Sequence, residues 1–279
     1  MKMHKKQSNG KVTTMIKVEL SQIKDLERTE KFFEGIQDSM IISFFQGYMG
    51  DLWLDSLENP ETGLLVSGEY SFYGGASDTP GALSLGESLF DFIHGKKTTG
   101  IFSQQRMDWR NRLLTLNKFN PQEIIRHGIA QKDYVFNKEK LEAFMHQIPR
   151  GYSIRAFDKE LYNASLSEDW SEEFCDIFAS YEEYKDRGFG YGVIKDGVLV
   201  SGASTMGVYK GGFETQVATR DGYRKKGLAL AASAALLLEG QRRGVRACWD
   251  ADNEASLHIA LKLGYEYIGT YSTVRLFRP

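Results

Sequence analysis

Residues 214 to 265 carry the groups best placed to do chemistry: a carboxylate, a basic turn closed by glycine, and an asparagine. Glu214 falls in a stretch, 213–219, that reads as a strand. Arg224, Lys225, Lys226 and Gly227 follow, and then an Ala/Leu-rich helical run that opens at Leu228 and Ala229. A turn leading from a strand into a helix N-terminus suits an anion, because unpaired N–H groups and the positive end of the helix dipole point there. Gly227, without a Cβ, lets the backbone approach such an anion closely. Lys and Arg oppose the dipole at that helix end, and a bound anion offsets the misfit. Period-two alternation puts Glu214, Gln216 and Ala218 on one strand face, and Thr215, Val217 and Thr219 on the other. A carboxylate there is a proton acceptor for an amine, which is mostly protonated at neutral pH; its bland counterpart is a solvated strand carboxylate.

The spacing is more specific than a generic glycine loop. Arg224-Lys225-Lys226-Gly227-Leu228-Ala229 matches R/Q-x-x-G-x-G/A, whereas neither a Gly-Lys-Ser/Thr P-loop nor G-x-G-x-x-G occurs in the chain. Asn253, Ser256, Gly264 and Tyr265 then fit N-x-x-A/S followed by G-F/Y. On these two motifs, residues 152–274 resemble the GNAT acyl-CoA-dependent N-acyltransferases. The length, the layout and the run from Tyr223 to Ala229 are also similar to a bacterial GNAT subfamily that includes a zwittermicin A self-resistance acetyltransferase.

The resemblance implies acetyl-CoA as co-substrate and no metal. It implies that backbone N–H groups of Lys226, Gly227, Leu228 and Ala229 hold the pyrophosphate, with Arg224 and Lys225 adding charge. The main chain of Val217, Ala218 and Thr219 would pair with the pantetheine amides as an added strand does. Asn253 and Ser256 would meet the pantetheine arm, although Asn253 is equally a helix N-cap. Glu214 would be the base. Many members supply a tyrosine acid seven residues after the motif asparagine, and Ala260 stands there in this chain. Tyr265, Tyr267 and Tyr271 are nearby phenols, Tyr265 aligning with the common core aromatic.

Other chemistries find little support. His258 sits alone in a helical run, no zinc spacing occurs, and G-x-S-x-G is missing. At 42% hydrophobic, 26% charged and net charge −2, the 279 residues suit a soluble globular protein without a nucleic-acid footprint. No apolar run reaches membrane-span length. Cys175 and Cys248 lie far apart and fit a reducing, cytoplasmic setting.

The elements that must position these groups follow a mixed α/β order. Residues 1–20 read as a flexible tail, 21–150 as an N-terminal α/β domain, and 151–279 as a GNAT domain, the break falling at Pro149-Arg150-Gly151. In the second part the pattern predicts strands at 152–157, 191–194, 198–203, 213–219 and 245–250, and a strand pair beginning at 265–271. Helices are predicted at 158–164, 169–187, 227–243 and 254–263. In the first part it predicts helices at 27–34, 82–94, 106–116 and 138–147, and strands at 40–46, 64–73 and 100–103. That order suggests a degenerate duplicate of the second part. Leu65-Val66-Ser67-Gly68 recurs as Leu199-Val200-Ser201-Gly202, in strands read as non-equivalent, and no basic glycine turn follows Tyr73. The expected function is acetyl transfer to a small-molecule amine by direct attack in a ternary complex. An acyl-CoA sensor and a protein or peptide N-acetyltransferase are the alternatives. Oligomeric state is left open.

Overall fold

The computed structural model describes residues 15–36, 38–87, 99–102 and 106–278. The chain divides into two compact units, Met1–Arg126 with Tyr271–Pro279, and His127–Thr270. This differs from the break expected at 150/151. Helix packing explains the shift: the helix Lys138–His146 packs on Leu228–Arg243 and so belongs to the second unit. The expected tail also ends earlier, because Ile16–Val18 is already a paired strand.

The first unit runs β1 (Ile16–Val18), α1 (Leu26–Glu30), α2 (Ser39–Phe45), β2 (Asp51–Leu54), β3 (Thr62–Ser67), β4 (Tyr70–Gly75), α3 (Pro80–Glu87), β5 (Thr99–Phe102), α4 (Met107–Leu114) and β6 (Gln122–Ile129). Strands β1 to β4 form an antiparallel meander, and β5 joins β4 in parallel after α3. Leu64, Val66, Tyr73, Trp109 and Leu113 form its core. Tyr73 stacks on Trp109 at 4.7 Å between ring centroids, and the Trp109 indole donates to the Gly75 carbonyl.

The second unit continues with α5 (Lys138–His146), β7 (Tyr152–Ala156), α6 (Lys159–Ser165), α7 (Tyr181–Arg187), β8 (Gly190–Lys195), β9 (Val198–Tyr209), β10 (Gly212–Thr219), α8 (Leu228–Arg243), β11 (Arg246–Cys248) and α9 (Glu254–Leu263). A last strand, β12 (Tyr267–Phe277), pairs antiparallel with β5. The five-stranded sheet has the order β11-β10-β9-β8-β7. Again four strands form an antiparallel meander, a helix crosses over, and β11 joins β10 in parallel. The first unit repeats this connectivity, so Leu65-Val66-Ser67 and Leu199-Val200-Ser201 both lie in the third strand of their meanders, contrary to the expectation of non-equivalent strands.

Helix α8 is held by a wide stripe of small residues. Ala231, Ala232, Ala234 and Ala235 are buried with Leu228, Leu236 and Leu237, which lets the helix lie close on β8 and β9. Burying about 0.8 kcal/mol per methylene, its leucines contribute most of its hydrophobic stabilisation. Gly244, at φ +67, ends it in the left-handed region.

Several expected elements differ. Where a strand was expected at 40–46, residues 39–45 form helix α2, because Asp38 caps it, accepting from Met40 N at 2.9 Å, and Met40, Ile41 and Phe44 bury one helical face. Residues 64–73 are two strands split by a turn at Gly68, φ +60. The helix expected at 169–187 is broken: Glu172–Phe174 is a single 3-10 turn, and α7 starts afresh where Ser180 accepts from Glu183 N. The strand pair expected after 265 is one long strand, β12. Most of the helix expected at 82–94 lies outside the described residues beyond Glu87.

Candidate functional site

The site grows from the way β10 leaves its neighbours. Glu214 and Cys248 are Cα partners, and they form the last pair between β10 and β11. Beyond them β10 stays paired to β9 alone, through Val217↔Ala203, Ala218↔Gly202 and Thr219↔Ser201. The second edge of Val217, Ala218 and Thr219 therefore has no strand along it among the described residues. The register shifts between Phe213 and Thr215, where Met206 and Gly207 of β9 stand opposite Glu214 alone. Phe213 packs against Gly240 of α8, whereas the Gln216 amide donates to Glu173 at 2.6 Å. Glu214 itself is buried, only 7% exposed.

From Thr219 the chain enters the basic turn. Gly222 and Gly227 have φ +84 and +77, and Lys225 is held at φ +62, a left-handed conformation uncommon for a residue with a side chain. Arg224 pairs with Asp221 at 3.0 Å, and Lys226 lies over the Tyr223 ring while reaching the Gly222 carbonyl and the Tyr152 hydroxyl. Gly227 is the N-cap residue of α8. No side chain caps this 16-residue helix, and a Cβ built on Gly227 meets nothing within 4 Å. The N–H groups of Leu228 and Ala229 thus stand at an open helix end. Such an end accommodates a phosphate.

The corresponding turn of the first unit is closed. Thr79 Oγ1 accepts from Ala82 N at 3.1 Å, filling the helix end of α3 with its own side chain. The Asp55 carboxyl stands 2.5 Å from where a Cβ on Gly81 would be, and a Cβ on Gly75 would meet the Glu61 carbonyl at 2.1 Å. A carboxylate at a helix N-terminus already supplies the negative charge such a site would take.

The second motif forms the start of α9. Asn253, in extended backbone, accepts from Ser256 N at 3.0 Å, so its capping role is realised. The Ser256 hydroxyl accepts from the Trp249 indole at 3.1 Å. Ala260 is fully buried, at 0% exposure, so its side chain faces the interior of the unit. Tyr265 is buried as well and donates to the Ala247 carbonyl at 3.3 Å. Burial first, then the nearby Cys248 and Glu214, push its phenol well above the usual range. Tyr265 is therefore a core phenol, its hydroxyl committed to the Ala247 carbonyl. His258 lies on α9 away from Glu214 in sequence, and no group of His, Cys, Asp and Glu suited to a metal occurs among the described residues.

A family model for GNAT acetyltransferases matches residues 30–274. The chain belongs to the GNAT acetyltransferase family. The match extends well beyond the 152–274 that the motifs suggested and takes in both units. Among solved structures, a GCN5-related N-acetyltransferase-like protein from Streptococcus suis is 26% identical, with a TM-score of 0.80 over 93% of this chain and 100% of its own. A GCN5-related N-acetyltransferase from Sphaerobacter thermophilus shares the fold at 13% identity and TM-score 0.50, covering 95% of this chain and 96% of its own. An uncharacterized N-acetyltransferase of Bacillus subtilis, YdfB, is 24% identical over 128 residues, which is 45% of this chain. That alignment spans about half, 49%, of the curated relative.

Sequence reasoning missed one constellation beside Glu214. Tyr209 ends β9, and its hydroxyl lies 3.3 Å from Cys248 Sγ. The available signal was the Gly211-Gly212 pair that follows Tyr209 and Lys210, a tight-turn composition between two strands.

Proposed function

We propose that this GNAT-family protein transfers the acetyl group of acetyl-CoA to the amine of a small molecule. The observation that carries the reading is the continuity of β10 into the open, uncapped helix end at Gly227, with buried Glu214 at the point where β10 and β11 part. The residues present fit the coenzyme. Leu228 and Ala229 N–H groups, with those of Lys226 and Gly227, would hold its pyrophosphate, and Arg224 and Lys225 would add charge. The edge of Val217, Ala218 and Thr219 would receive the pantetheine amides as an added strand. Asn253 and Ser256 would meet the pantetheine arm from α9 while keeping their structural hydrogen bonds. When bound, acetyl-CoA supplies an activated acyl thioester.

Glu214 takes a proton from the bound ammonium, and the freed nitrogen attacks the acetyl carbonyl carbon and then loses its surplus proton to solvent. The C–N bond forms, the C–S bond breaks, and its electron pair leaves on sulfur. A thiolate with an ordinary pKa near 8.5 departs without much assistance. This matters because Ala260 offers no proton and the buried Tyr265 hydroxyl is engaged with the Ala247 carbonyl. The proposed acceptor is the amine of an antibiotic or a metabolite, on the resemblance of the run from Tyr223 to Ala229 to the zwittermicin A resistance subfamily. We infer further that the first unit is a degenerate copy that binds no coenzyme. Cys175 and Cys248 are buried and form no disulfide with each other, which agrees with the cytoplasmic setting we infer.

The test is a panel of primary amines offered with acetyl-CoA, read as released thiol. Turnover of any amine supports transfer. Tight coenzyme binding with no turnover across the panel would favour a sensor instead.

A further inference from the structure

Tyr209 faces Gly212 across the two-residue turn between β9 and β10. Its ring lies over the Gly212 backbone: a Cβ at that position would stand 2.2 Å from both Tyr209 Cζ and Oη. Gly212 has no left-handed φ, so the glycine answers to the ring rather than to the backbone. Laid across β10, the ring carries its hydroxyl to β11, 3.3 Å from Cys248 Sγ. Cys248 is the partner of Glu214. A phenol, a thiol and a carboxylate from three neighbouring strands thus converge on the last rung before β10 and β11 part.

The groups around that rung are Tyr209 on β9, Cys248 and Arg246 on β11, and Tyr265 after α9. Burial, then Cys248 and Glu214, hold the Tyr209 phenol far above its usual range, with Arg246 opposing. It stays neutral at any working pH. A neutral phenol both donates and accepts, whereas an ionised carboxylate only accepts. With its proton turned to the Cys248 sulfur, the Tyr209 oxygen retains lone pairs for a second partner.

We propose that the Tyr209 hydroxyl is an acceptor-binding group that, with Glu214, selects primary amines. Once Glu214 has taken its proton, a primary amine keeps two N–H bonds, one for a Glu214 carboxyl oxygen and one for Tyr209 Oη, and its lone pair is then free for the acetyl carbon. An N-methylated amine has only one N–H and cannot satisfy both. The proposal rests on the acetyl-transfer reading above.

The experiment measures kcat/KM for a primary amine and its N-methyl counterpart, drawn from the amine panel, in wild type, Tyr209→Phe and Gly212→Ala. Tyr209→Phe keeps the ring and removes one neutral hydrogen bond. The preference for the primary amine should fall roughly threefold to tenfold. Binding of acetyl-CoA should be unchanged by calorimetry. Gly212→Ala retains the phenol but displaces ring and hydroxyl together, and it should erode the same preference. A purely structural tyrosine would alter melting temperature and leave the ratio alone, so an unchanged ratio in both folded variants overturns the proposal. Wild-type inactivity on every amine would instead overturn the acetyl-transfer reading, and this one with it.

Discussion

Glu214 and Cys248 form the final Cα pair between two parallel strands, and everything proposed for catalysis follows from their being last. One residue further, β10 keeps a neighbour on one edge only. The same strand end that frees an edge for pantetheine amides holds a buried carboxylate beside it.

The coenzyme loop gives the first prediction. Gly227→Asp adds a negative charge where the pyrophosphate would approach, at a position where a Cβ has open space. Gly227→Ala, which carries the backbone strain of φ +77 alone, is the control. Calorimetry should show acetyl-CoA affinity falling on the order of tenfold or more for the aspartate, each tenfold being 1.4 kcal/mol. The alanine should cost about 1 kcal/mol of stability with a smaller loss of affinity. Equal affinity in wild type and Gly227→Asp would remove the loop from the site.

Asn253 separates cap from contact. Asn253→Asp keeps an oxygen for Ser256 N, and Asn253→Ala does not. Thermal melts should place the alanine variant about 1 kcal/mol below wild type and the aspartate near it. If the side-chain amide also meets the coenzyme, both variants should bind acetyl-CoA more weakly.

Much of this site was legible locally. Gly227, Gly244, Asn253 and Gly264 mark helix ends by residue type, and they stand where the chain uses them. Glu254–Leu263 begins and ends as its pattern predicts because both of its caps lie within the sequence window. Other features depended on distant partners. Residues 40–45 are apolar with a spacing that suits either element, and the Asp38 cap decides for helix. That β11 stops at Cys248, leaving Glu214 on the last rung, is a property of pairing and has no local signal. The Asp55 carboxyl that closes the first unit's turn lies 26 residues before Gly81 in sequence and could be found only from contacts.

Ala260 yields a prediction about the missing acid. Restoring the family tyrosine with Ala260→Tyr forces a phenol into a fully buried site. It should lower stability by about 1–3 kcal/mol or more through overpacking. It should not raise turnover. A stable, faster Ala260→Tyr enzyme would mean that this position opens toward the coenzyme sulfur.

The end of α8 carries a pH-dependent contribution. Glu239 bonds Arg242 and Arg243, each at 2.7 Å, and the Arg242 hydrogen bond foremost lowers its carboxyl to about 2. A depressed folded pKa means the stabilisation is present above the ordinary carboxylate value of 4.5 and is lost as pH falls toward about 2. Arg242 is largely exposed, so the contribution is on the order of 1 kcal/mol rather than the full shift. Urea melts at pH 7 should show Glu239→Gln less stable by that amount, and melts near pH 2 should show the two proteins converging. A difference that does not change with pH would assign the effect to packing.

The most direct measurement of the central claim is turnover against pH for wild type and Glu214→Gln, with acetyl-CoA and the best amine from the panel. The substitution keeps shape and removes the proton acceptor. Turnover should fall on the order of a hundredfold to ten-thousandfold near neutral pH, with acetyl-CoA affinity unchanged. The deficit should shrink as pH rises toward the amine's own pKa, since free amine then forms without a base. Wild type should show no basic limb owed to a tyrosine acid. Equal activity of the two enzymes at every pH would contradict the account and leave Glu214 a buried structural carboxylate.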